Sequence, residues 1–246
     1  MSTVNIIQLG LLTILIAYLI YYAWTIFFGN NHQPLIWKKK MVAGQISSIL
    51  KKMENGYKDK DRFFNFWFQI ERLKESKVPG SFAELGVYKG DSAAILHEMD
   101  PSREFYLFDT FEGFQQKDLD NETGKAASYT VHNFADTSIE RVKQRLSSDK
   151  FKFHKGYFPE STKNLKDERY ALVNMDVDLY NPTKAGLEFF YPKLSEGGVI
   201  IVHDYNADWP GIMKAVDDFS KSIPSPIVPL TDTDSSVMIF KPYHSK

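Results

Sequence analysis

Apolar positions along the chain follow three successive patterns. From Ile6 to Phe28 almost every residue is apolar, and only Gln8, Thr13 and Thr25 are plainly polar. As a helix this stretch is roughly 34 Å long, enough to cross the hydrocarbon core of a bilayer. Tyr18, Tyr21, Tyr22 and Trp24 gather toward its C-terminal end, where an aromatic belt would sit. A buried core helix is seldom apolar on every face. A cleaved signal peptide wants a basic leader and a small-residue cleavage site. Met1 to Asn5 carries no basic side chain, and Phe27-Phe28-Gly29-Asn30 is a poor cleavage site. The pattern therefore predicts a transmembrane anchor over residues 1–30.

The period then becomes helical. Ile46, Ile49, Leu50 and Met53 recur at helical spacing, as do Phe63, Phe64, Trp67, Ile70 and Leu73, until Pro79-Gly80 stops the run. Residues 31–78 read as a helical linker and cap region. Its aromatic stretch Phe63–Phe68 reads as core or as a dimer surface, which leaves a homo-oligomer open. From residue 79 to 246 short apolar runs alternate with helical stretches. The runs are Phe82–Leu85, Phe105–Phe108, Phe151–His154, Tyr170–Met175, Val199–Val202 and Val237–Phe240. The helical stretches are Ser92–Met99, Thr137–Leu146, Thr183–Leu194 and Gly211–Ser220. Near-continuous apolar strands alternating with helices predict an α/β fold with a doubly wound, mostly parallel sheet covered on both faces. Ile223–Pro229, with its prolines, reads as a connector or edge strand. Thr110–Asp136 has no strong period, and a loop of that length usually covers a site.

Charge sharpens the division. Residues 1–37 contain no Lys, Arg, Asp or Glu, and Lys38, Lys39 and Lys40 follow at once. By the positive-inside bias the N-terminus lies outside and the body in the cytoplasm. Lys51, Lys52, Lys58 and Lys60 read as a solvated face near the anchor, within reach of anionic headgroups. Across the 246 residues the net charge is −1, without the basic surplus that a nucleic-acid partner demands. There is no cysteine, so disulfides and thiolate metal sites are excluded.

In a parallel doubly wound sheet, ligands bind beyond the carboxyl ends of the strands. The first strand ends in Glu84-Leu85-Gly86-Val87-Tyr88-Lys89-Gly90-Asp91-Ser92. A dinucleotide fingerprint would be G-x-G-x-x-G, whose glycines admit a pyrophosphate. Here the spacing is G-x-x-x-G behind an acid, which suits a nucleoside without phosphates and with a cation to place. S-adenosylmethionine is such a ligand, and Glu84, Gly86, Gly90 and Ser92 are its candidate contacts. Asp109, at the tip of the next strand, is placed to accept hydrogen bonds from two ribose hydroxyls. Two later strands end in Asp176-Val177-Asp178 and in His203-Asp204. If those strands are neighbours, Asp176, His203 and Asp204 form a candidate divalent-metal site.

Val78-Pro79-Gly80-Ser81-Phe82-Ala83-Glu84-Leu85-Gly86-Val87-Tyr88-Lys89-Gly90 resembles the opening of the macrocin O-methyltransferase family. So do Phe108-Asp109-Thr110-Phe111-Glu112-Gly113-Phe114, Asp176-Val177-Asp178-Leu179-Tyr180 and Ala215-Val216-Asp217-Asp218-Phe219, in the same order. The resemblance runs roughly from Arg62 to Phe240. It implies a class I, Rossmann-like methyltransferase fold, S-adenosylmethionine as donor and a small-molecule hydroxyl as acceptor, a sugar hydroxyl in the best-known members. It implies a magnesium ion held by a strand-four Asp, matched by Asp176, and by an acidic pair after strand five. The chain departs there: His203 stands at the first acidic position and only Asp204 keeps the second. A neutral imidazole shifts preference from magnesium toward manganese and other transition metals. His203 is then either a ligand or, with Asp204, the base that takes the acceptor proton. By the same resemblance Gly156 marks the turn near the adenine and Asp176 borders the donor, while Phe111 and Phe114 either wall the adenine or pack the loop. Two rival readings stand beside this one: a nicotinamide- or nucleotide-sugar-dependent oxidoreductase, and an anchored scaffold that has lost catalysis.

Overall fold

A computed structural model describes residues 3–28, 33–163, 165 and 167–243; Gly29 and Asn30, the end of the expected anchor, lie outside them. The chain forms two compact units, Met1–Ser47 and Ser48–Lys246.

In the first unit, helix α1 (Thr3–Phe28) is followed by the short helix α2 (Leu35–Val42), which starts behind Pro34. Within α1, Thr3–Thr25 is long and apolar enough to cross a membrane, and none of it is buried. Two of its threonine hydroxyls are satisfied inside the helix. Thr13 donates to the Leu9 carbonyl at 2.9 Å and Thr25 to that of Tyr22 at 2.8 Å. That arrangement leaves little to desolvate in hydrocarbon.

The second unit opens with α3 (Ser48–Gly56) and α4 (Lys60–Glu75). The expected continuous helix is broken between them because Asp59 caps α4, its side chain accepting from the Arg62 N–H. Phe63, Phe64, Phe66, Trp67, Ile70 and Leu73 on α4 are all buried, so this aromatic run is core except for Phe68.

The sheet follows, with α5 (Asp91–Met99), α6 (Gln116–Leu119), α7 (Ile139–Arg145), α8 (Tyr180–Phe190) and α9 (Pro210–Ser220) between its strands. Those strands are β1 (Ser81–Leu85), β2 (Phe105–Asp109), β3 (Phe151–Lys155), β4 (Tyr170–Met175), β5 (Leu194–Val202), β6 (Ile227–Pro229) and β7 (Val237–Phe240). Their order is β3-β2-β1-β4-β5-β7-β6. The first five are parallel, and β7 is antiparallel to both β5 and β6. Within the expected Ile223–Pro229 stretch, Ile227–Pro229 is the edge strand, with Pro229 at its end where no further ladder is needed. β5 begins at Leu194, earlier than the expected Val199, because the chain bends at Gly197 (φ 76°) and keeps pairing.

The chain steps from β1 to one side and later returns to its other side, so the switch point lies between β1 and β4. Register then sets the site. Leu85 pairs with Phe108 and with Met175, and Met175 pairs with Val202. The next residue on each strand is therefore Gly86, Asp109, Asp176 and His203, which form one row along the carboxyl edge.

Candidate active site

A cavity of about 390 Å³ opens above this row. Gly86, Ser92, Asp109, Gly156 and Asp176 line it, as do Phe114 and the cap residues Tyr57 and Arg62.

The turn after β1 has the shape its glycines demand. Gly86 has φ 85°, and a Cβ there would run into the Asp176 carbonyl. Gly90 has φ 79° and starts α5. Asp109 holds the turn in place: its Oδ2 accepts the Val87 and Tyr88 N–H groups at 2.7 and 2.8 Å, and its Oδ1 accepts that of Phe111 at 2.6 Å. Three of the four lone-pair positions of the carboxylate are thus committed to backbone. Gly156 donates its N–H to the Asp109 carbonyl at 3.0 Å.

Glu84 lies fully buried at the base of this turn. Its Oε1 accepts from Ser92 Oγ and, at 2.7 Å, from Asn174 Nδ2. Its Oε2 is buried without a partner. Burial pushes the carboxyl up to about 8, against the hydrogen bonds from Ser92 and Asn174 that favour the charge. An orphaned carboxyl oxygen beside a nucleoside-type turn fits a ligand that brings its own cation.

At the other end of the row, Asp176, His203 and Asp204 each offer one ligand atom within 4.8 Å of the others. His203 Nδ1 lies 3.4 Å from Asp176 Oδ1 and 3.1 Å from Asp204 Oδ1. Neither contact has hydrogen-bond geometry, so this buried nitrogen faces two carboxylates without bonding to either. Such a donor set suits a borderline divalent cation better than a purely hard one. Burial disfavours the charged imidazole, but Asp176 and Asp204 prevail and raise His203 to about 10. His203 and Asp204 are buried behind the cavity wall, and Asp176 is the member of the trio that lines it.

Three features of the site had not been singled out from the sequence. Arg62, on α4, donates from Nη2 to Asp176 Oδ2 at 2.9 Å. Burial opposes the charge on Asp176, but the Arg62 guanidinium and His203 more than offset it and hold the carboxyl well below the usual range. The signal was present: a charged residue within the apolar stripe of α4 requires a buried partner. Asp178, in the left-handed region at φ 61°, also lines the cavity. Burial, the Asp176 charge and contact with Asp204 push its carboxyl well above the usual range. Third, Asp118 lines the cavity and accepts from Tyr157 Oη at 2.9 Å and Asn181 Nδ2 at 3.0 Å.

The long segment after β2 does cover the site. Phe114, Tyr129 and Phe134 form a ring cluster, with Phe114 5.4 Å from each of the other two centroids. Phe134 meets Tyr88 at 5.2 Å. Asp136 ties the end of the segment down, accepting from Tyr88 Oη at 2.7 Å and Lys89 Nζ at 2.6 Å. Of the two phenylalanines read as either walling the adenine or packing the loop, Phe114 lines the cavity. Phe111 does not. Its left-handed backbone (φ 54°) sends the ring into the interior, where its centroid lies 6.5 Å from that of Phe153.

Comparison with known proteins agrees with this architecture. A sequence model of the macrocin O-methyltransferase family matches residues 53–241. The mycinamicin III 3''-O-methyltransferase of Micromonospora griseorubida is 30% identical over 173 residues, covering 64% of this chain and 67% of that protein. A Streptomyces olivaceus 4'-O-methyltransferase of a rhamnosyl-tetracenomycin C is 28% identical over 159 residues, covering 60% of this chain and 61% of that protein. The match thus spans about three fifths to two thirds of these relatives. The solved O-methyltransferase NovP shares the fold, with a TM-score of 0.66 and 24% identity over 75% of this chain and 81% of that one. Calicheamicin methyltransferase CalS11 does so with a TM-score of 0.57 and 22% identity over 89% of this chain and 90% of that one. A 3-2-1-4-5-7-6 sheet with its cavity at the β1/β4 switch point, matched over most of its length by the family's own pattern, places this chain in the macrocin O-methyltransferase family of class I methyltransferases.

Proposed function

We propose that the protein is a membrane-anchored O-methyltransferase that moves a methyl group from S-adenosylmethionine to a hydroxyl of a sugar-containing small molecule. The observation that carries the reading is a cavity lined by a nucleoside-type turn and by Asp176, behind which His203 and Asp204 complete a cluster of ligand-type side chains. The Streptomyces olivaceus relative acts on a rhamnosyl-tetracenomycin C, which supports a sugar-bearing acceptor. The aromatic rings of Phe114 and Phe134 beside the carboxylates of Asp118 and Asp178 suit an acceptor with apolar faces and many hydroxyls.

S-adenosylmethionine, when bound, supplies a methyl group on a sulfonium. The turn from Gly86 to Gly90 leaves room for the nucleoside, and Glu84 Oε2 offers the cationic end a buried acceptor. Asp109 keeps that turn rigid. Methyl transfer is an in-line displacement, so the acceptor oxygen must be aligned with the methyl and relieved of its proton. Asp176, His203 and Asp204 would hold a divalent cation, magnesium or manganese, which when bound lowers the pKa of a coordinated hydroxyl. Arg62 orients Asp176 from the side opposite His203, using Oδ2 while His203 faces Oδ1. Asp204 is placed to receive the proton, and His203, which its carboxylate neighbours hold protonated at neutral pH, can do so only after losing its own.

The anchor is α1. Its exposed apolar surface over Thr3–Thr25, internally bonded threonines and trailing lysines support a single span with the methyltransferase body on the cytoplasmic side.

The test combines the purified full chain, labelled S-adenosylmethionine and a panel of glycosylated acceptors, with product masses read for a single added methyl. Transfer that is abolished in Asp176→Ala supports the assignment. Donor binding by calorimetry without transfer to any acceptor would favour the catalytically silent scaffold. Protease protection in sealed vesicles checks the anchor, and a body shielded inside the lumen would reverse its orientation.

A further inference from the structure

We infer that helix α2 is an interfacial helix that docks on anionic lipid headgroups at the membrane surface beside the end of α1. The inference rests on the reading of α1 as a membrane span.

Leu35 and Val42 lie seven residues apart, two turns of helix, and so share one face of α2. Both are exposed, Leu35 by 68% and Val42 by 91%. Lys38 and Lys39 follow Leu35 by three and four residues and flank the same face. Trp37 is buried and points to the opposite side. An apolar pair between two lysines is the arrangement that lets short side chains enter the acyl boundary while long ones reach the phosphates.

Charge singles out an anionic surface. The first acidic residue of the chain is Glu54, whereas Lys38, Lys39, Lys40, Lys51 and Lys52 all precede it. Five lysines and no acidic residue between the apolar span and Glu54 form a polybasic juxtamembrane segment, and each lysine favours an anionic surface by about fivefold. Connectivity keeps α2 near that surface. Seven peptide steps separate Phe28 from Leu35, which limits their separation to about 25 Å. A protein surface as partner would have to supply both a complementary acidic patch and an apolar seat for Leu35 and Val42. A bilayer with anionic lipid supplies both wherever α1 ends.

The chain has no cysteine, so a single Val42→Cys substitution takes one spin label. Val228→Cys, at an exposed valine of the edge strand β6, provides the aqueous reference. The full chain is reconstituted in phosphatidylcholine vesicles with and without about 30% phosphatidylserine, and collision with a water-soluble nickel chelate is measured. We expect the label at position 42 to be shielded several-fold relative to position 228 in anionic vesicles. Lys38→Glu with Lys39→Glu should return it to the aqueous value while the chain still floats with the lipid. Equal nickel access at both positions in a chain that floats overturns the docking and leaves the anchor standing. Equal shielding in neutral and anionic vesicles overturns the assignment to anionic headgroups. A chain that does not float overturns anchor and docking together.

Discussion

Replacing Glu84 with Gln should make the protein more stable at neutral and alkaline pH, by an amount that changes with pH in a defined way. Glu84 is fully buried, and its carboxyl is raised from 4.5 to about 8. Between those values the folded protein holds a proton that the unfolded chain has released. Stability therefore falls as pH rises through the window, by about 1.4 kcal/mol per unit. Below the lower value both states are protonated and the group is silent. At neutral pH the accumulated cost is about 3 kcal/mol, and above pH 8 it levels off near 4–5 kcal/mol. Gln has no such slope. Its Oε1 can accept from Ser92 and Asn174 as the carboxyl oxygen does, so the hydrogen bonds survive. For a domain of this size the gain at neutral pH corresponds to roughly 6–12 °C in melting temperature.

The assay is thermal unfolding of both proteins in detergent from pH 5 to 9, without donor. The difference in melting temperature should be small at pH 5 and grow steadily to pH 8. Any fixed effect of the amide on packing shifts all points equally, so only the slope tests the idea. A difference that stays constant across the range would refute a buried, proton-holding Glu84. The same substitution should weaken donor binding, because only the ionised carboxyl offers Oε2 as a charged acceptor for a cationic group.

Asp109→Ala removes the acceptor of three backbone N–H groups and should weaken S-adenosylmethionine binding by about 1–3 kcal/mol in calorimetry; unchanged affinity would remove Asp109 from the donor site. Chelation should abolish methyl transfer, with manganese restoring more activity than magnesium, and His203→Asp should shift that preference back toward magnesium. Full activity after chelation, with loss only in His203→Ala, would instead identify a metal-free base.

Much of the fold is legible in the sequence because each strand of the parallel sheet is an uninterrupted apolar run. Tyr170–Met175 is buried at every position, so nothing else could account for it. Register then follows from strand length, and it carries Gly86, Asp109, Asp176 and His203 to one edge. Single backbone conformers are harder to read. Phe111 sits in a Phe-Glu-Gly-Phe run that reads the same whichever way its ring points, and one left-handed residue decides that it packs inward. Asp109 is similar: a strand-end acid is visible, but not that neighbouring turns would already fill most of its lone pairs. The break at Asp59 was hidden by apolar spacing that continues in phase across it.

Arg62 shows why the cap helices are electrostatically part of the site. Asp176, Asp178 and Asp204 converge with only His203 from the sheet's own edge to balance them. Burial, and then the neighbouring carboxylates of Asp176 and Asp204, hold Asp178 protonated well above its usual range. Asp176 keeps its charge because α4 contributes a guanidinium from 114 residues away in sequence. Deleting one partner of such a pair typically costs about 3–5 kcal/mol, since the other charge is left without compensation. Asp59 locks the same helix from its N-terminus. One oxygen accepts the Arg62 N–H at 2.9 Å, and the other accepts the Thr233 N–H at 2.8 Å, from the loop between β6 and β7. That loop also meets the turn after β5, where Tyr205 donates its N–H to the Ser235 carbonyl at 2.7 Å, next to Asp204. The cation on α4 and the carboxylates that follow β4 and β5 are therefore set by one connected frame. A shift of α4 would change the charge on Asp176 and the position of Asp204 together, which couples the cap to the chemistry more tightly than its place in the sequence suggests.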